Sequence, residues 1–208
     1  MPTDGPILPE KGKWKLGAET NFLFEKQMKR PKGDASSQQY FTTLSYAPVD
    51  WFSFDFRAGC GNVKFEQSGG DTINYNTAFA GGYGFRVRLT EQDKSFLDIL
   101  YAFQHISIHP DPRKVNGIKN ELCLDDWQTS LILAKRFKFL YPYTAIKYSK
   151  VTLNRITSET KGTKMAGSVD RIGFAMGMDF LFSENMTAGI EGRFFDEQGL
   201  SANVSWRF

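Results

Sequence analysis

Four side chains near the middle of the sequence are of the types that move protons: His105, His109, Asp125 and Asp126. They lie near the end of one alternating segment and the start of the next, so a hairpin would set them across from each other at one rim of a sheet. A histidine that accepts a proton beside a carboxylate is the minimum for acid–base catalysis. Two features weigh against it. No second acidic pair is evident, and His105 shares the parity of Phe103, an apolar-face residue. The expectation is rim residues solvated near lipid headgroups, without catalysis. Cys60 and Cys123 match no metal spacing, and two separate buried thiols are expected rather than a disulfide. Gly81-Gly82-Tyr83-Gly84 has no helix after it and makes no phosphate loop. No metal and no cofactor are implied.

The elements that must position these groups are strands. Aromatic residues make up 15% of the 208 residues, and Gly numbers 19, a composition that favours strands and the turns between them. A net charge of +3 from mixed signs lacks the basic footprint of a nucleic-acid binder. No run of about 18 apolar residues is present for a transmembrane helix. The mean hydropathy of -0.39 does not exclude a membrane barrel, which is apolar only at alternate positions. The first residues have no apolar signal core; if the chain is exported, its signal has been removed and Met1 was added in expression.

Period-two alternation recurs almost throughout. Leu200, Ala202, Val204, Trp206 and Phe208 oppose Ser201, Asn203, Ser205 and Arg207. Phe52, Phe54 and Phe56 oppose Ser53, Asp55 and Arg57; Phe85 and Val87 oppose Arg86 and Arg88. The phase is lost near Ala145-Ile146-Lys147, where a bulge is expected. Short connections fall at 47–50, 90–93, 135–138 and 183–185, and longer polar ones at 29–37, 66–75, 109–120 and 155–168. Short turns at one rim and long loops at the other are the habit of outer-membrane barrels.

The polar face mixes small residues with opposite charges, as a narrow filled lumen requires, and aromatics gather near strand ends as membrane girdles. The ending Leu200–Phe208 resembles the closing strand of Gram-negative outer-membrane proteins. In them a terminal Phe after alternating apolar residues resembles the signal read by the barrel-assembly machinery, which would assign Trp206 and Phe208 to that role. The alternating architecture resembles the small OmpA-like and Opa-like barrels along nearly the whole chain. The Asp/His set resembles that of the omptin proteases, which also have ten strands, although this chain is shorter.

The sequence therefore predicts an all-β fold: a closed antiparallel transmembrane β-barrel of about ten strands in the bacterial outer membrane, with short periplasmic turns and longer extracellular loops. Residues 1–12 are expected as a periplasmic segment and 13–208 as the barrel. Phe174, Met176, Ile190 and Val204 should face lipid. Glu19, Asp55, Arg57, Arg86, Arg88, Asp98, Asp179, Glu191, Arg193 and Arg207 should face the lumen, as a filling network rather than a gate. The leading expectation is a non-enzymatic protein that anchors, adheres or passes small solutes through a constricted lumen. An omptin-like or lipid-modifying barrel enzyme comes second and a soluble lipocalin-like carrier third; a Ser or His and a carboxylate facing the same way would favour the enzyme. Expected partners are outer-membrane lipids and lipopolysaccharide, the latter through Arg113-Lys114 and 161–164, the assembly machinery, and a protein reached through the extracellular loops or periplasmic rim.

Overall fold

A computed structural model describes residues 1–29, 32–70, 72–90, 95–115, 118–157 and 160–208. The strands are β1 (Trp14–Lys29), β2 (Gly33–Val49), β3 (Phe52–Gln67), β4 (Thr72–Arg88), β5 (Asp98–Ile108), β6 (Arg113–Val115), β7 (Ile118–Ala134), β8 (Leu140–Thr157), β9 (Thr160–Ser168), β10 (Ile172–Leu181), β11 (Met186–Phe194) and β12 (Gln198–Arg207). Ten of them close in the order β1-β2-β3-β4-β5-β7-β8-β10-β11-β12, with β12 returning to β1 in antiparallel register. Trp14 and Phe208 exchange backbone hydrogen bonds of 3.0 Å at the seam. Closure pairs the strand edges, as hydrocarbon requires.

The wall has two heights. β10, β11 and β12 run 10, 9 and 10 residues, the length of one tilted bilayer crossing. β1 to β4, β7 and β8 run 16 to 18 residues. Above the short β11–β12 hairpin, β9 bridges β8 and β1 through Met28↔Ser168 and Lys29↔Gly167. The described wall thus has ten strands below and eight above.

Polarity inverts between these tiers. Below, Phe54, Phe56, Tyr83, Leu131, Ile146, Ile190 and Val204 are exposed outward, while Asp55, Arg57, Arg86, Lys147 and Glu191 are buried inward. Above, the interior is apolar: Val63, Phe65, Ile106, Ile108, Leu122, Leu124, Val151 and Leu153 form one buried cluster. The outer positions there are Asn62, Lys64, Glu66, Ser107, Asp125, Lys150, Thr152 and Asn154, half-buried or exposed. The lower tier has the surface of a membrane barrel and the upper tier that of a soluble one.

The structure corrects the reading of the long polar connections. β2 begins at Gly33, β3 reaches Gln67 and β4 begins at Thr72, so most of 29–37 and 66–75 is wall; β6, β7 and β9 likewise take up parts of 109–120 and 155–168. A strand outside the bilayer carries polar residues on its outer face and reads as loop. Of the 90–93 turn, residues 91–93 lie outside the described residues. The bulge expected near 145–147 is absent. Ala145 pairs with Ile132 and Ala175 in unbroken register, and the next inward position is a buried lysine, Lys147, which disguised the phase. Register shifts fall instead at 23–26, 46–49 and 61–63, and at 153–157 where β8 meets β9.

The placement of residues 1–12 outside the barrel is also corrected. Residues 1–9 fold back into the lumen and, apart from half-buried Asp4, are buried. Arg86 Nη1 donates to the carbonyls of Asp4 (2.8 Å), Gly5 (3.1 Å) and Ile7 (3.2 Å), and Lys15 Nζ to that of Ile7 (2.9 Å). Gly5 takes φ of +64° with the Asp179 carboxylate 2.8 Å from where a Cβ would stand, so a side chain there would be strained and would displace that carboxylate. No periodicity reveals this segment in the sequence, because extended chain held by lumen side chains has no repeating face.

Candidate functional site

The lumen holds most of the charges assigned to it. Arg86 makes a two-pronged contact with Asp55 (Nε–Oδ2 2.9 Å, Nη2–Oδ1 2.6 Å), and Arg57 binds Glu19 (3.2 Å) and Asp4. Thr3 donates its hydroxyl and its backbone N–H to Glu191, which also accepts from Tyr143 at 3.0 Å. Arg88, Asp98 and Arg207 sit lower: Tyr141 donates to Asp98, and Arg88 and Arg207 line the periplasmic mouth with Glu10 and Glu184. A second cluster at mid-height joins Arg193 to groups not singled out in the sequence, Lys26, Lys147, Asp196, Glu197 and the Met1 amine. Lys26 binds Asp196 (2.7 Å), Lys147 and Arg193 bind Glu197 (2.8 and 2.7 Å), and the Met1 amine lies 2.5 Å from Glu197. Asp126 belongs to this interior cluster, accepting from Ser149 at 2.8 Å, and so is separated from the histidines by the barrel wall. Alternation puts neighbours such as Asp125 and Asp126 on opposite faces.

The remaining candidates meet on the outside. His105 and Ser107 occupy alternate positions of β5 on its outer face, His109 follows directly after the strand's last residue, and Ser107 stands directly opposite Asp125 of β7. Ser107 Oγ donates to Asp125 Oδ1 at 2.7 Å and lies 2.9 Å from His109 Nε2. His105 Nε2 is 3.9 Å from the same carboxylate oxygen. The other carboxylate oxygen accepts from Asn154 at 3.1 Å, and Cys123 Sγ is 3.3 Å from Ser107. Both cysteines are free and half-buried. The His105 ring stacks on Trp127 at 4.0 Å, and its Nδ1 is buried without a hydrogen-bond partner. Ser107 was missed in the sequence. The signal lay in the spacing: His105-Ile106-Ser107-Ile108-His109 as extended chain puts all three polar groups on one face.

The cluster straddles the line where the outer wall changes from apolar to polar. Phe79, Tyr83 and Trp127 lie exposed at or just below that line, and Tyr83 packs edge-on to His105 at 5.5 Å. A proton acceptor, a hydroxyl and a carboxylate are therefore presented at bilayer-surface height, toward the lipid. Of the basic groups expected to meet lipopolysaccharide, Arg113 donates to Asn76 at 3.1 Å; the side chains of Lys114 and 161–164 lie outside the described residues. Among the described residues no group of three or more His, Cys, Asp or Glu is arranged to hold a metal.

No family model matches the chain, and no curated protein matches its sequence. Solved structures do resemble it. The translocator domain of the autotransporter NalP from Neisseria meningitidis matches with a TM-score of 0.51 and 7% identity, over 99% of this chain and 90% of that one. The COG4313 outer-membrane channel from Pseudomonas putida F1 (TM-score 0.48, 8% identity, 100% and 99% coverage) is also similar. So is the outer-membrane protease OmpT from Escherichia coli (0.49, 9%, 100% of both chains), and neither of these two likenesses bears on activity. Closed antiparallel strands, an outward apolar band and this likeness agree: the chain has the fold of a bacterial outer-membrane β-barrel.

Proposed function

We propose that this barrel is an outer-membrane hydrolase that cleaves an ester bond of a membrane amphiphile, with Ser107 as nucleophile, His105 as general base and Asp125 as the carboxylate that orients it. The observation that carries the reading is the Ser107 hydroxyl held between Asp125 and His109 on the lipid-facing wall, with His105 3.9 Å from the same carboxylate oxygen. A hydroxyl, a histidine and a carboxylate grouped on one face are the parts of acyl-transfer sites on unrelated folds. His105 is preferred over His109 because only its ring lies within ion-pair distance of Asp125, and because its Nδ1, unpartnered at rest, can take a proton once the ring turns to Ser107. His109 holds the hydroxyl at rest.

In the reaction Ser107 Oγ attacks the ester carbonyl as His105 takes its proton. The proton passes to the departing alcohol, and water, deprotonated by the same imidazole, releases the carboxylic acid and restores Ser107. Esters of membrane lipids lie where headgroup meets acyl chain, at the height of this cluster. Passage of solutes fits the structure less well, since residues 1–9 occupy the lumen. Anchoring remains compatible with the same barrel.

The test uses purified protein in mixed micelles with acylated lipids, following fatty-acid release and labelling by a fluorophosphonate. Wild type should release acid and label at Ser107, and Ser107→Ala should lower release by about 10⁴-fold and abolish labelling. Equal release from both proteins, or no release and no labelling by wild type, would overturn the assignment.

A further inference from the structure

A second feature of the outer wall is a groove of about 620 Å³ lined by Tyr148, Val169, Asp170, Arg171, Ile172 and Phe195, where β9 hands over to β10 above the β11–β12 tip. Its floor is apolar and outward-facing: Ile172 is 70% and Phe195 82% exposed. Phe195 holds φ of +74°, an uncommon state for a bulky residue. The cause is adjacent: Asp196 and Glu197 turn inward to Lys26, Lys147 and Arg193, and so turn the phenyl ring out. The groove is thus fixed by the interior ion cluster.

Its upper edge is charged. Arg171 Nη1 donates to the Tyr148 hydroxyl at 3.1 Å, which steadies the guanidinium at the opening. Lys150 follows Tyr148 on the outer face of β8, and its neighbour Ser149 donates its backbone N–H to Arg171 O at 2.7 Å. The side chains of Lys150 and Asp170, both exposed, make no hydrogen bond or ion pair among the described residues. In the lumen, by contrast, opposite charges are drawn together. Arg171 and Asp170 line the groove over its apolar floor, with Lys150 beside it on β8, at the level where the outer surface changes polarity.

We propose that this groove binds one membrane lipid with a phosphodiester headgroup that ends in a primary ammonium. Arg171 and Lys150 would hold the phosphate, Asp170 the ammonium, and Ile172 and Phe195 the start of an acyl chain. The charges match in sign and order: guanidinium and ammonium complement phosphate, and the carboxylate beside them complements the headgroup cation. Apolar residues continue down this wall through Ile146 and Met176, where a chain would lie. A pocket of this size suits a headgroup and the first methylenes. The inference does not depend on Ser107 acting as a nucleophile.

The experiment measures lipid retention by the full chain carrying Ser107→Ala, so that hydrolysis cannot consume the ligand. The protein is exchanged into mixed micelles of phosphatidylethanolamine, phosphatidylglycerol and phosphatidylcholine, and retained lipids are counted by native mass spectrometry. One phosphatidylethanolamine should be retained about tenfold over phosphatidylcholine, and Lys150→Gln with Arg171→Gln should lower retention of both about tenfold or more. Asp170→Asn should remove discrimination between ethanolamine and glycerol headgroups while keeping retention. Tyr148→Phe, a milder change, should weaken retention without touching the wall, which guards against variants that fail to fold. Unaltered retention in folded variants would overturn the proposal, as would equal retention of all three lipids by the parent. Displacement of the lipid by inorganic phosphate would also overturn it, by marking a free-anion site.

Discussion

At the scale of single residues, the two histidines flanking Ser107 separate by role. His105→Ala should lower ester cleavage by about 10³-fold or more, while His109→Ala should cost far less, because among the described residues no carboxylate pairs with His109. Equal losses in a fatty-acid release assay would reassign the base. In the lumen, Arg86→Met leaves Asp55 buried without its guanidinium and removes the donor to the carbonyls of Asp4, Gly5 and Ile7. It should destabilise the barrel by about 3–5 kcal/mol, read from urea-driven unfolding in detergent, and Asp55→Leu in the same chain should recover part of the loss. Parity made the inward facing of Arg86 and Glu191 legible in the sequence, and the hairpin made the meeting of His105, His109 and Asp125 legible. Neither revealed that Ser107 joins the histidines, because one serine among many on a polar face carries no signal of its own; nor did they reveal Lys147 or the inward facing of Asp126, whose neighbours hid the phase.

Among elements, the strap of residues 1–9 decides whether the lumen is a passage. Its contacts to Arg57, Arg86, Gln128 and Glu191 put chain in the middle of the bore. Deleting residues 2–9 should turn small, rare openings in planar bilayers into a steady conductance; an unchanged trace would mean that wall side chains alone close it. The short strands β10 to β12 make the opposite case, since nearly all of their outer positions serve the bilayer. Ile190, in the middle of β11, is exposed outward. Ile190→Arg should cost about 2–4 kcal/mol of folding free energy in lipid, measured by the same titration. These strands were the most legible in the sequence, because a strand that only crosses a bilayer alternates cleanly. The long strands were cut short, since their upper halves carry Asn62, Lys64 and Glu66 where the lower halves carry phenylalanines.

For the whole molecule, the inversion of polarity predicts a sharp boundary in solvent access. A cysteine at Lys64 in liposomes should react quickly with a membrane-impermeant maleimide and one at Phe56 slowly; similar rates would remove the bilayer line from where the side chains put it. The same inversion has a mechanical consequence. Ten strands about 4.8 Å apart and tilted about 40° give a girth of roughly 60 Å at the backbone. Sliding the barrel outward by 1 Å would wet roughly 60 Å² of apolar wall, about 1.5 kcal/mol. Sinking it would drown charged groups such as Lys64 and Glu66 in hydrocarbon. Bilayers thin or thicken for only fractions of a kcal/mol per ångström. The softer partner yields, so the lipids adjust their height to the protein. Each neighbouring molecule that diffuses past is thereby levelled against the wall, with its headgroup boundary set opposite Ser107 before any specific contact forms.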